Sequence, residues 1–267
     1  MSASDGAGWS LPGDGLTWTG YRAYSPGMTT VIQMNDKLSQ ISTGRIFFVA
    51  TARFDNGRDL GHKCEIYYSD DGGLSWTQSQ NDSSAVTALD QYAEGKVIET
   101  SAGTLRLYVP WNESGSVRYA ESTDGGVTWT GDHALDQLKN ARSSFGLVED
   151  SHAGTPTFYM VWVYNDHDDH PKVMFPRSRL ALARSHDGVA WDYLMDVERW
   201  ISDNDNDTNP IVQMIDPGIT VGPDHLFITI GRSEKDIDGA THNDQKLRII
   251  RVDKSKLAPY ASWPQEY

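Results

Sequence analysis

Three carboxylates and a set of basic residues stand where this sequence could work on a sugar. Asp36 with Lys37, Glu94 with Lys96, Arg142 and Asp216 each precede or open a short strand-like run. One group that protonates a leaving oxygen, with others that stabilise an oxocarbenium-like charge, meets the needs of acid/base cleavage at a glycosidic bond. Residues this far apart serve that chemistry only if the chain folds into repeated units whose first strands converge. Taken singly, each reads better as an exposed turn residue on an acidic chain; taken as a set, the two readings stand even.

The repeat that would gather them is visible. Ser69-Asp70-Asp71-Gly72-Gly73-Leu74-Ser75-Trp76 and Ser122-Thr123-Asp124-Gly125-Gly126-Val127-Thr128-Trp129 share an S-x-D-x-G-x-x-W spacing. Ser185-His186-Asp187-Gly188-Val189-Ala190-Trp191 is one residue shorter, and Asp14-Gly15-Leu16-Thr17-Trp18 fits the short form without its serine. Recurrence at such a period implies a repeat architecture. The aspartate accepts backbone N–H groups and the glycine supplies a positive φ, so each box reads as a tight structural turn. Its tryptophan would fold back as a plug between neighbouring repeats, with the indole N–H seeking an acceptor.

Composition agrees with strands and turns: 12 Tyr, 9 Trp and 24 Gly in 267 residues, enough chain for one domain over residues 1–267. A net charge of −14 disfavours nucleic acid and anionic membranes as partners, so an anionic ligand would need a local basic pocket. The single cysteine, Cys64, excludes an internal disulfide. Residues 1–20 lack an apolar signal core and no apolar run is long enough to span a membrane, so the chain as given reads as soluble. Compartment and oligomeric state stay open.

Strand-like runs fall in order around the boxes. Residues 29–34, 37–41, 45–53 and 63–68 lead into the first full box, and 95–99, 105–109 and 117–120 into the second. Residues 144–148, 157–163 and 180–183 lead into the third, and the last unit offers 211–214, 218–221, 226–230 and 247–252 with no box after it. Two polar loops stand outside the repeat, at 165–171 and 203–209. The second alternates Asp203, Asp205 and Asp207 like the start of a calcium loop, but lacks the glycine and glutamate that complete one. It reads as a solvated loop, and no cofactor is expected.

The boxes resemble the Asp-box of the sialidase (neuraminidase) superfamily, in which the box joins the third and fourth strands of a propeller blade. The resemblance implies an all-β fold, a β-propeller of four-stranded antiparallel blades. About five blades are present, or an incomplete six-bladed ring of the sialidase type. Gly44-Arg45-Ile46-Phe47-Phe48-Val49-Ala50-Thr51-Ala52-Arg53 is similar to the family's G-x-L-L-A-F-A-E-A-R stretch. That match implies substrate contact by Arg53 and an acid/base role for Asp59, with Asp55 a near competitor. Glu94-Gly95-Lys96-Val97-Ile98-Glu99 is similar to the family's E-P-x-V-V-E, which would make Glu94 the partner of a catalytic tyrosine. Asp216-Pro217-Gly218-Ile219 stands where that tyrosine is expected, and the first two triad arginines would fall at Met34 and at Pro110 or Trp111.

The expected activity is hydrolysis of a glycoside, a sialic-acid or other acidic-sugar donor included. Asp216, Asp59, Asp36 and Glu94 would carry the chemistry. Arg53, Arg142, Arg179 and Arg232 would hold an anionic group, since bidentate guanidinium contacts suit a sugar acid. Trp111 and Trp162, near the ends of second strands, read first as packing between blades and second as stacking on a sugar face. His242, in a long loop, reads first as a surface residue and second as a group titrating near neutral pH. Two alternatives compete: a non-catalytic propeller that binds glycan or protein, and a polysaccharide lyase using His242 beside Arg232.

Overall fold

The computed structural model describes residues 39–55, 60–81, 95–100, 103–110, 115–150, 152–164, 179–199, 211–235, 246–260 and 263. They fall into two compact units. The first takes in the described residues up to Val109 with Arg118–His133; the second takes in Pro110–Val117 with the residues from Ala134 onward.

In the first unit, β1 (Ser39–Gln40), β2 (Ile46–Asp55), β3 (Leu60–Ser69) and β4 (Thr77–Gln78) form an antiparallel four-stranded sheet in chain order. After a short β5 (Gln80–Asn81), a second meander follows through β6 (Lys96–Glu99), β7 (Leu105–Pro110), β8 (Ser116–Ser122) and the start of β9 (Thr128–Glu149). Its core gathers Phe47, Ile66, Val97, Leu105, Leu107 and Trp129.

In the second unit, the rest of β9 is followed by β10 (Phe158–Tyr164), β11 (Arg179–Ser185) and β12 (Trp191–Arg199), again antiparallel and in order. Every residue of β10 is buried, which explains why its sequence is a continuous apolar run without alternation. A last sheet holds β13 (Ile211–Val221), β14 (His225–Lys235) and β15 (Lys246–Asp253). Val161, Leu182, Leu194, Met214, Ile228 and Ile230 share one core between these two sheets.

Antiparallel strands paired with their neighbours in chain order are the blades that the repeats implied. The fold is all-β and of propeller type, with one correction to the expected strands: residues 211–214 and 218–221 are one strand, because the chain bulges between them rather than turning back. Among the described residues the last sheet therefore has three strands. The short-form box at Asp14–Trp18 lies outside the described residues.

The boxes are hydrogen-bonded as their composition dictates. In the second, Asp124 accepts from the backbone N–H groups of Val127 and Thr128 and from the Thr128 and Ser122 hydroxyls, while Ser122 Oγ accepts from Gly126 N at 2.8 Å. Gly126 takes φ +84°, and a Cβ there would meet the Phe47 ring at 2.3 Å, so any other residue is strained and displaces that ring. Trp129 packs as the expected plug, in one core with Phe47 and Ile66 of the preceding sheet. Trp76 and Trp191 donate their indole N–H to Gly73 O and Gly188 O of their own boxes, each at 3.1 Å. Trp129 does not: Ser79 Oγ occupies Gly126 O at 2.6 Å, and Trp129 Nε1 is buried without a partner.

Candidate functional site

In the second unit, the end of the third blade farthest from its box is built from a polar run feeding an apolar strand. On β9, Phe145 pairs with Trp162 and Asn140 with Tyr164, so residues 141–144 stand opposite Val163 alone. On β13, Ile215 pairs with Gly231 and Gly218 with Thr229, which leaves Asp216 and Pro217 opposite Ile230. A proline cannot donate to the ladder and is tolerated in a strand at such a bulge. The first strands of two successive blades thus break their ladders at one level.

A hydrogen bond joins the two bulges: Ser144 Oγ donates to Asp216 Oδ1 at 3.0 Å. Ser144 is buried and Asp216 exposed. Behind them Asn140, wholly buried, accepts the Ser143 N–H through Oδ1 at 2.9 Å, and its Nδ2 has no hydrogen-bond partner. Two residues farther along, a Cβ on Gly146 would come within 2.9 Å of Ile219 N, so the absent side chain lets β9 and β13 run close together. Asp216 has φ +51° and is the sole non-glycine residue with positive φ among the described residues. Non-glycine residues in that region cost free energy, and bulges that re-aim a side chain gather at functional sites.

The other expected residues are placed as follows. Arg142 lies in the β9 bulge with Ser144, and Arg53 on β2 opposite His62. Arg179 is buried at the head of β11. Its Nε donates to Asp196 Oδ1 at 2.6 Å and its Nη2 to Tyr193 OH at 3.3 Å, and its guanidinium lies 4.7 Å from the Tyr164 ring centroid. Burial works against the Arg179 charge, but the bonds to Asp196 and Tyr193 outweigh it and raise the guanidinium pKa above its ordinary value. Burial, then the bond it donates to Asp196, pushes the Tyr193 phenol up as well.

Arg232 on β14 donates to Glu198 Oε1 at 3.4 Å, and Arg248 on β15 donates to the same oxygen. Asp36, Asp59, Glu94, Trp111, His242 and the Asp203, Asp205 and Asp207 run lie outside the described residues. Among those described, no three His, Cys, Asp or Glu side chains are grouped to hold a metal ion. Among the described residues, no helix is long and apolar enough to cross a membrane.

Of the expected residues, Asp216 and the backbone of Arg142 meet at the paired bulges. Ser144 and Asn140 join them without having been singled out in the sequence. The signal was present: Asn140-Ala141-Arg142-Ser143-Ser144 is a polar run abutting an apolar strand, and Asp216-Pro217-Gly218 interrupts another.

Blades with Asp-boxes on an all-β frame define a propeller-type protein. The chain belongs to the BNR repeat-like domain family, whose profile matches residues 1–203. It is thereby a member of the sialidase-like Asp-box superfamily that its boxes resembled. Among solved structures it is similar to the Hadza microbial sialidase Hz136 (16% identity, TM-score 0.54, covering 82% of this chain and 37% of that one). It is also similar to the intramolecular trans-sialidase from Ruminococcus gnavus in complex with oseltamivir carboxylate (19%, 0.54, 82% and 43%). A third is a protein of unknown function from Dyadobacter fermentans DSM 18053 (14%, 0.52, 80% and 52%). The chain therefore spans 37 to 52% of the length of these structures. No curated protein matches the sequence.

Proposed function

We propose that the chain is a carbohydrate-active propeller that hydrolyses a glycosidic bond at the paired bulges, with Asp216 as the reacting carboxylate. The observation that carries this reading is an exposed carboxylate on a strained bulge, gripped through one oxygen by Ser144 from the neighbouring first strand. The family and the sialidase likeness supply the substrate class, carbohydrate, but the likeness on its own supports only the fold. Asp216 attacks the anomeric carbon or takes a proton from the water that does. The leaving oxygen receives its proton from a second carboxyl, for which the sequence offers Asp59 and Asp36. Arg142 and Arg232 suit an acidic sugar, a sialic-acid glycoside included. Arg179, enclosed by Asp196, Tyr193 and Tyr164, suits the shaping of the blade better than contact with substrate.

The test is turnover of aryl glycosides and polysaccharides, sialic- and uronic-acid donors included, by the purified chain and its Asp216→Asn variant. The expected outcome is turnover by the wild type and a loss of about 10²–10⁴-fold in the variant with the fold retained. A second reading, a glycan-binding propeller without catalysis, is favoured by the uncharged residues at Met34, Pro110 and Trp111. Binding of the same glycans without turnover would establish it in place of the first.

A further inference from the structure

We infer that Ser144 is a positioning residue that presents one chosen oxygen of Asp216 to the reacting centre, an inference that rests on the reading of Asp216 as the reacting carboxylate. Ser144 is 2% exposed, and its hydroxyl bridges 72 residues of sequence to reach Oδ1. The strand beneath it is held. Asn140 Oδ1 ties down the Ser143 N–H, and the two first strands approach closely at Gly146 and Ile219.

Asp216 has its backbone in the left-handed region and an exposed side chain, so burial does not restrict the carboxylate. The Ser144 hydroxyl supplies that restriction. With Oδ1 accepting the Ser144 proton, Oδ2 is the oxygen left to face solvent. In hydrolysis a water O–H bond breaks as its oxygen bonds to the anomeric carbon, and the released proton passes to Oδ2. The glycosidic C–O bond breaks as its electron pair and a proton from the second carboxyl go to the leaving oxygen. Ser144 keeps its own proton throughout. Pinning a reacting group in advance removes the cost of ordering it at each turnover, and small misplacements of such a group cost as much as about 10²-fold in rate.

The experiment compares Ser144→Ala and Ser144→Cys with the wild type and with Asp216→Asn, on whichever aryl glycoside the wild type turns over. Crystal structures of both Ser144 variants accompany the kinetics. Both variants are expected to lose about 10- to 100-fold in kcat with KM within about two-fold, since a thiol fills the space but donates poorly. Their structures are expected to keep the β9 bulge while the Asp216 carboxylate loses its single orientation. Wild-type kcat in either variant, or an Asp216 carboxylate unmoved in both structures, overturns the inference. If Asp216→Asn leaves turnover intact, or no donor is turned over, the reading of Asp216 as catalytic fails. The carboxylate orientation in the two variant structures then decides by itself whether Ser144 positions it.

Discussion

The boxes and the β13 bulge answer the same backbone demand in opposite ways. Gly72, Gly73, Gly125, Gly126 and Gly188 supply every positive φ inside the described boxes, so those turns form without strain. At the bulge the positive φ falls on Asp216, although glycine stands two residues away at Gly218. Aspartate is among the few side chains that enter this region, and its place there accords with the role proposed for it. The carboxylates differ in the same sense. Asp71, Asp124 and Asp187 are consumed by backbone N–H and hydroxyl donors of their own turns, whereas Asp216 accepts one hydroxyl and otherwise faces outward.

The comparison is sharpened most by the box tryptophans. Trp129→Ala removes one of the largest fully buried side chains, in edge-to-face contact with Phe47 at 6.4 Å, and is expected to cost about 3–5 kcal/mol. Trp76→Ala, at a partly exposed site, is expected to cost no more than about 2 kcal/mol. Urea unfolding midpoints check both, and equal losses would mean that the boxes do not differ in packing.

Next come the positive-φ positions themselves. Gly126→Ala adds strain to a clash with Phe47 and is expected to destabilise by roughly 2–4 kcal/mol. Asp216→Gly relieves strain and forfeits one hydrogen bond, so it is expected to stay within about 1 kcal/mol of the wild type while abolishing turnover. An Asp216→Gly chain as unstable as Gly126→Ala would show that the aspartate is structural.

The third prediction concerns acid. Burial alone would raise the Asp124 carboxyl, but hydrogen bonds from the Thr128 hydroxyl and N–H, then from Ser122 and Val127, outweigh it and hold the pKa at about 2, below the ordinary 3.8. A depressed carboxyl contributes stability above its unfolded value and loses it as pH falls through the folded one. Denaturant midpoints of Asp124→Asn should therefore fall less steeply than those of the wild type as pH drops from about 4 to 2. Parallel slopes would count against the box network. The solvent exposure of the carboxylate keeps this effect below the preceding ones.

The smallest effect belongs to Ser79→Ala. It vacates Gly126 O, which Trp129 Nε1 can then take as Trp76 and Trp191 do in their own boxes, so the net cost is expected below about 1 kcal/mol. Slower exchange of the Trp129 indole proton in the variant would confirm the switch of partner; unchanged exchange would refute it.

Much of the frame was legible because its determinants are local. The S-x-D-x-G-x-x-W spacing specifies a turn through its own side chains, and the run over 157–163 specifies a strand buried on both faces. The site was legible only in part. Asp216 stood out as a carboxylate at the head of a strand-like run, but two strands were expected where β13 makes one, since Pro217-Gly218 signals a turn and a bulge alike. Ser144 was not singled out, because a serine near a strand end has no distinctive local signature. Arg179 read as a clamp for an anionic group, and its burial depends on Asp196, Tyr193 and Tyr164 packed around it from other strands.

The sequence by itself determined the boxes, the order of the strands and the family, since each follows from residues close together in the chain. Tertiary structure alone decided which carboxylate stands free, which arginine is enclosed and which serine reaches Asp216. Those outcomes depend on the register of strands up to 72 residues apart, and register is set by packing across whole sheets rather than by any local pattern.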